Sequence, residues 1–211
     1  MLNKFFFLRH GITNFNKAKR YTGHEDIALS SSAYEEIKNT LPLLNNRNIS
    51  IIYSSPLLRA RQTAHIIANY LSVPIVIVDE FKERSFGLFE GKRKLQYIKK
   101  CFPEGQTLYS YRKQVLKGLR SIKIENDSLI IAHSGTYKVL MKYYYRISPK
   151  YSVKNNELIY FDLKEKHPTA INDTEYLKSS KCNAKRLDEA IVEIENMMFN
   201  GLDSDNKYNE Q

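Results

Sequence analysis

Arg9 and His10 leave directly from the apolar run Phe5–Leu8, and His133 leaves from the run at 129–132. Arg59 closes SSPLLR (54–59), which follows the run at 49–53. Glu83 sits in DEFKERSFGLFEG (79–91), after the run at 75–78. Arginine forks match phosphate oxygens two at a time and stay charged at any working pH. A histidine among guanidinium groups is held neutral, because a further positive charge is disfavoured there. Neutral imidazole is a nucleophile toward phosphorus. Its attack leaves a phosphohistidine, which water or a second acceptor then discharges. A carboxylate in the same pocket supplies the proton that the leaving oxygen needs. Backbone N–H groups near Gly11, and at the start of a helix from Gly135, add donors for an anion. The arginines and the second histidine carry the electrostatic stabilisation, so the scheme requires no metal.

Each residue alone also has a plainer reading. A histidine after a strand is commonly a hydrogen-bonded structural residue, Arg59 fits a surface charge on a first helical turn, and Glu83 fits a charged loop. What joins them is topology. The runs FFFL (5–8), ISIIY (49–53), IVIV (75–78), LIIA (129–132) and LIYF (158–161) are continuous rather than alternating. Strands buried on both faces read this way. Between them stand helical signals: Ser32 with Glu35 as a capping box, Ser55-Pro56 opening a helix toward Leu71, and a helix from Gly135 to Tyr145. Alternating strands and helices predict a three-layer α/β/α fold with a mostly parallel central sheet. Ligands of such sheets bind beyond the carboxyl ends of the strands, which brings His10 and His133 together across 123 positions of sequence.

The bulk composition agrees with a folded domain. The chain has 211 residues, 42% of them hydrophobic and 27% charged, and no apolar stretch approaches the length of a membrane span. Phe5–Leu8 is also too short for a signal peptide. Cys101 and Cys182 lie far apart with no CxxC spacing, as expected in a reducing cytoplasm. Net charge is +10, and the segment 92–123 holds ten Lys/Arg against the single acid Glu104. That stretch interrupts the alternation as a partly helical insertion with a turn at Pro103–Gly105. Its charge suits either a polyanionic ligand or a solvated helical face. HPTAINDTE reads as loop. Beyond it, Leu187, Ile191, Ile194 and Met198 share one face of a helix, which packs on the body or on a partner subunit. The expected organisation is a catalytic domain over 1–165, containing the basic insertion, and an extension over 166–211 with that helix and a polar tail.

Taken together, the blocks resemble the histidine phosphatase superfamily, also called phosphoglycerate-mutase-like, from Phe7 to about Leu163. LRHG (8–11), SSPLLRARQTA (54–64), DEFKERSFGLFEG (79–91) and IIAHSG (130–135) are similar to its four signature blocks, in order. The resemblance implies His10 as nucleophile, Glu83 as proton donor and His133 as the second histidine of the phosphate pocket. It places Arg9 and Arg59 on the phosphate, and carries further phosphate-side or substrate-side contacts onto Asn16, Thr22, Gly23 and Ser134. Arg84 is a candidate for holding a substrate carboxylate. Three positions depart from the pattern. Ile12 stands where a polar residue is usual, giving a less polar pocket mouth. Phe15 stands where tryptophan is common, and Ser134 replaces a glycine. His24 has no assigned part, His65 reads as structural and His167 lies beyond the match.

Within that family, mutases carry extra cover over the pocket to exclude water. This chain has no tryptophan, and eleven residues separate Gly91 from Pro103. The expectation is therefore a metal-independent phosphomonoesterase acting on a small phosphorylated metabolite, with no cofactor. A 2,3-bisphosphoglycerate-dependent phosphoglycerate mutase is the alternative, and only it would need a 2,3-bisphosphoglycerate primer. A non-catalytic phosphate-ligand-binding protein is a third reading. No membrane partner is expected and no nucleic-acid motif is present. A homodimer stays open through the C-terminal helix.

Overall fold

The computed structural model describes residues 4–94, 102–122, 128–150 and 152–171. Strand β1 (Lys4–Arg9) lies inside a six-stranded sheet with β2 (Ile51–Ser54), β3 (Ile75–Ile77), β4 (Ser128–Ala132), β5 (Leu158–Asp162) and β6 (Thr169–Ala170). The order is β3-β2-β4-β1-β5-β6. Parallel pairing joins β3 to β2, β2 to β4 and β4 to β1, while β5 and β6 add on antiparallel.

The pleat explains the opening phenylalanines, because successive side chains leave opposite faces of a strand. Phe6 and Leu8 enter the core formed with α2 (Ser31–Thr40) and α3 (Leu58–Leu71). Phe5 and Phe7 enter the opposite core, formed with α4 (Leu108–Ser121) and α5 (Ser134–Tyr144), where Phe5 stacks on Phe161 at 4.6 Å. Each buried phenylalanine contributes roughly 2 kcal/mol of apolar transfer. The result is the expected three-layer α/β/α architecture. Among the described residues no helix is long and apolar enough to cross a membrane.

Four local expectations are corrected. The IVIV run is not buried on both faces: β3 is paired only to β2 among the described strands, and Val76 and Ile77 are 40% and 45% exposed. The capping box falls not at Ser32 and Glu35 but at Thr13 and Asn16, heading the single turn α1 (Asn14–Lys17). Helix α2 is instead preceded by Ser30, whose hydroxyl donates to the Ile12 carbonyl. Ser55-Pro56 does not open α3, which begins at Leu58 with its first N–H donated to the Asp26 carboxylate. Within the expected loop HPTAINDTE, Thr169 and Ala170 pair with β5. The amphipathic stretch 187–198, both cysteines and Lys99, Lys100 and Lys123 lie outside the described residues.

Candidate active site

His10 is the first residue past β1, anchored by its N–H to the Ala132 carbonyl at 3.0 Å. Its ring is 3% exposed, and Nδ1 lies 2.7 Å from the Gly11 carbonyl oxygen. A carbonyl only accepts, so Nδ1 carries the proton and Nε2 keeps the lone pair. Burial pushes the His10 imidazolium well below the ordinary histidine value, and the charges of Arg59 and Arg9 push it further. His10, the nucleophile expected from the sequence, thus has a neutral ring with its lone pair on Nε2.

His133 precedes α5 and is fully buried, its ring 5.1 Å from that of His10 at an angle of 60°. Burial, then Arg59, His10 and Arg9, hold it neutral too. Its Nε2 meets the Ser55 hydroxyl at 2.8 Å, and that same oxygen accepts the Leu57 N–H. Ser55 therefore sits against the second histidine instead of at a helix end.

The arginines are held by carbonyls. Arg9 donates to Val153 O at 2.7 Å. Arg59, only 1% exposed, donates from its two terminal nitrogens to Glu25 O and Gly23 O at 2.8 and 2.9 Å. Burial lowers the Arg59 guanidinium to about 10, so it remains charged at neutral pH. Among the described residues, Arg9 Nε, Arg59 Nε and His133 Nδ1 are buried without a hydrogen-bond partner. The two arginine nitrogens are donors, each costing about 1–3 kcal/mol while unpaired, and an anion binding between the side chains would relieve that cost.

Glu83 follows a 3-10 turn at Asp79–Phe81. Its carboxylate accepts the Arg84 N–H at 2.9 Å and the Gly135 N–H at the start of α5 at 3.2 Å. Its charge acts on both Arg9 and Arg59, which places it in the same cluster.

The remaining expected residues divide. Gly23 has φ +53°, and a Cβ there would stand 2.1 Å from the Glu90 carboxylate, so glycine is required for its carbonyl to reach Arg59. Thr22 is buried beside it. Asn16 closes the capping box with Thr13 and accepts from Asn155 through the same Oδ1. Ser134 opens α5, with its hydroxyl against that of Ser152. Arg84 is engaged elsewhere, since its guanidinium packs on Phe102 and Phe86 and donates from Nε to Gln106 O at 2.7 Å. The expectation that it holds a substrate carboxylate has no support in this placement. Ile12 packs against the core on the α2–α3 side, which accounts for its apolar character.

Several supporting residues have no counterpart in the sequence expectations. Asn155 donates to the carbonyls of His10 and Gly11 at 3.0 and 3.3 Å, clamping the turn after β1 from the loop that leads into the neighbouring strand β5. Its neighbour Asn156 has φ +56°, and an Asn-Asn pair before a strand is a turn signal. Glu90 accepts from the His24 N–H, the Ser85 hydroxyl and the Phe86 N–H through a single oxygen, tying the loop of Gly23 to that of Glu83. His24 donates its ring N–H to the Glu83 carbonyl at 2.8 Å. Lys94, although exposed, reaches over the Tyr21 ring. Its ammonium is pushed down by partial desolvation and by Arg9, with Glu83 opposing.

Comparison with known proteins gives this geometry a family. Residues 5–172 match the Histidine phosphatase superfamily (branch 1). The chain is 33% identical over 141 residues to the uncharacterized phosphatase PhoE of Bacillus subtilis, covering 64% of this chain and 73% of that protein. It is 34% identical over 100 residues to a phosphoglycerate mutase of Candida albicans, covering 45% of this chain and 40% of that one. The fold superposes on a phosphoserine phosphatase of Entamoeba histolytica, solved in complex with 3-phosphoglyceric acid, with a TM-score of 0.67 and 24% identity over 82% of this chain and 98% of that chain. Paired neutral histidines, a buried and a half-buried arginine and a carboxylate, gathered at the carboxyl ends of parallel strands, thus have a family to belong to: the chain is a member of the histidine phosphatase superfamily.

Proposed function

We propose that the protein is a metal-independent phosphomonoesterase that turns over small phosphorylated metabolites through a phosphohistidine on His10. The observation that carries this reading is the His10 Nδ1–H bond to Gly11 O, which leaves Nε2 as a lone-pair nucleophile among buried cations. Arg9, Arg59 and His133 hold the phosphoryl oxygens and offset the charge that grows on them. His10 Nε2 attacks phosphorus, the ester P–O bond breaks, and Glu83 gives its proton to the leaving oxygen. The Glu83 carboxylate then takes a proton from water as that water attacks the phosphohistidine, releasing inorganic phosphate and restoring neutral His10.

A phosphatase is favoured over a mutase because a mutase needs extra cover to keep water from its pocket, whereas only eleven residues separate Gly91 from Pro103 and the chain contains no tryptophan. The mutase reading draws on the Candida albicans similarity and on Lys94, a second cation beside Arg9 for a substrate with another anionic group. A panel of phosphate esters assayed in excess chelator, beside His10→Ala, tests the proposal. Metal-dependent release, or full activity in the variant, would overturn it. Isomerisation of 3-phosphoglycerate with a bisphosphoglycerate primer, without net phosphate release, would favour the mutase.

A further inference from the structure

The basic helix α4 docks its inner face on the segment that carries Glu83. Gly118 comes so close that a Cβ there would stand 2.8 Å from the Glu80 Cβ. Gln114 donates to the carbonyls of Glu80 and Lys82 at 3.0 and 3.2 Å, and Lys117 pairs with Glu80 at 2.8 Å. Farther toward the N-terminal end of the helix, Tyr111 is buried with its hydroxyl 3.1 Å from Thr136 Oγ1 on α5. A Cβ on Gly135 would stand 2.2 Å from Glu83 Oε1 and 2.9 Å from the Tyr111 hydroxyl oxygen, so the two oxygens border the same glycine.

We propose that Tyr111 is a positioning residue for the proton donor: its hydroxyl, backed by Thr136, hydrogen-bonds the Glu83 carboxyl group and keeps it aimed at the leaving oxygen. This rests on the reading of Glu83 as proton donor. A hydroxyl has one proton to give and two lone pairs. While Glu83 is ionised, Tyr111 donates to it and accepts from Thr136. When Glu83 is protonated on its other oxygen, Tyr111 still donates to Oε1 and still accepts from Thr136, so the carboxyl proton is left for the leaving oxygen. In both states the Tyr111 hydroxyl keeps both partners, which avoids the penalty of a lost one. Burial and the Glu83 charge push the Tyr111 phenol well above its ordinary value, so it stays a neutral donor. Among the described residues, the other groups facing Glu83 are cations, backbone N–H groups or a side chain bound elsewhere. Arg9, Arg59 and Lys94 are cations. The backbone N–H groups of Arg84 and Gly135 only donate, and His24 is bound to the Glu83 carbonyl.

The test exploits the leaving group. A 4-nitrophenolate departs with little protonation, whereas an alkoxide needs the proton. Tyr111→Phe is expected to slow single-turnover phosphoenzyme formation from glycerol 3-phosphate by roughly tenfold, within the range of general acid catalysis. With 4-nitrophenyl phosphate the loss should stay within about twofold. In a Glu83→Gln background the same substitution should add nothing. Equal loss on both esters, no loss on either, or full additivity with Glu83→Gln overturns the inference. If Tyr111→Phe does not fold, Thr136→Val must reproduce the leaving-group pattern. A wild-type protein that releases phosphate from neither ester contradicts the parent reading instead, and the inference falls with it.

Discussion

The Nδ1 of His10 lies 2.7 Å from the carbonyl oxygen of Gly11, its own chain neighbour. This contact fixes the tautomer before any substrate arrives. The Asn155 amide donates to that carbonyl and to the one before it, so the turn that sets the His10 tautomer is held from two sides.

Because both histidines are buried and neutral, acid should weaken the fold. Their folded values lie well below 6.5. Below about pH 6.5 the unfolded chain therefore binds protons that the folded chain refuses, and stability falls as pH falls. Each histidine contributes up to about 1.4 kcal/mol per pH unit until its own folded value is reached. Urea titrations between pH 8 and 5 measure this, and His133→Asn should flatten the slope. A wild-type slope of zero would mean that the histidines are charged or exposed.

Removing the hydroxyl beside His133 should disturb the imidazole without disturbing the sheet. Ser55→Ala is expected to lower kcat/KM by roughly tenfold, because the ring then loses its orienting partner at Nε2. Ser55→Thr keeps an oxygen there and should recover most of the loss. Ring-nitrogen NMR of His133 would report the change directly; unchanged spectra and kinetics in the alanine variant would remove Ser55 from the account.

The loop that supports Arg59 depends on Glu90. Three donors converge on one of its oxygens, and because the site is only half-buried water replaces part of that bonding, so the net loss is roughly that of one bond to a charged acceptor, about 1.5–3 kcal/mol. Glu90→Ala should cost about 2 kcal/mol of stability and raise KM for a phosphate ester, since the Gly23 and Glu25 carbonyls no longer hold the guanidinium. Gly23→Ala should do the same to KM, because its Cβ and Glu90 would occupy the same space. Thermal melts and initial rates check both. Unchanged KM in either variant would mean that Arg59 does not rely on this loop.

Charge at the pocket mouth is expected to act through Lys94 more than through the outer face of α4. Arg112 and Lys113 are exposed on that face, while Lys94 interacts with Arg9 and Glu83. Lys94→Gln should raise KM and flatten its dependence on salt, and the double substitution of Arg112 and Lys113 should have a smaller effect. Rates across an ionic-strength series decide this. A larger effect from the double variant would give substrate steering to the helix.

Much of the architecture is legible in the sequence because burial on two faces leaves a mark that polar neighbours cannot hide. The run around Phe6 reads correctly as an inner strand for that reason. The run around Val76 carries the same mark at the sheet edge, where apolar composition alone does not reveal the missing neighbour. Placement of His10, Arg59, Glu83 and His133 at one edge follows from strand order, and the structure does bring them together. Arg84 shows the limit, since a cation beside Glu83 reads as a substrate ligand, whereas in the structure its guanidinium lies over the rings of Phe86 and Phe102. Asn155 and Tyr111 are illegible for another reason: their roles exist only through contacts made across large sequence separations.

The most direct test of the account is the phosphoenzyme itself. Enzyme mixed with a slowly hydrolysed phosphate ester and quenched in alkali should carry one phosphoryl group on Nε2 of His10, identified by peptide mass spectrometry and phosphorus NMR, and none in His10→Ala. Phosphate on Nδ1, on another residue, or turnover with no label at all would contradict it.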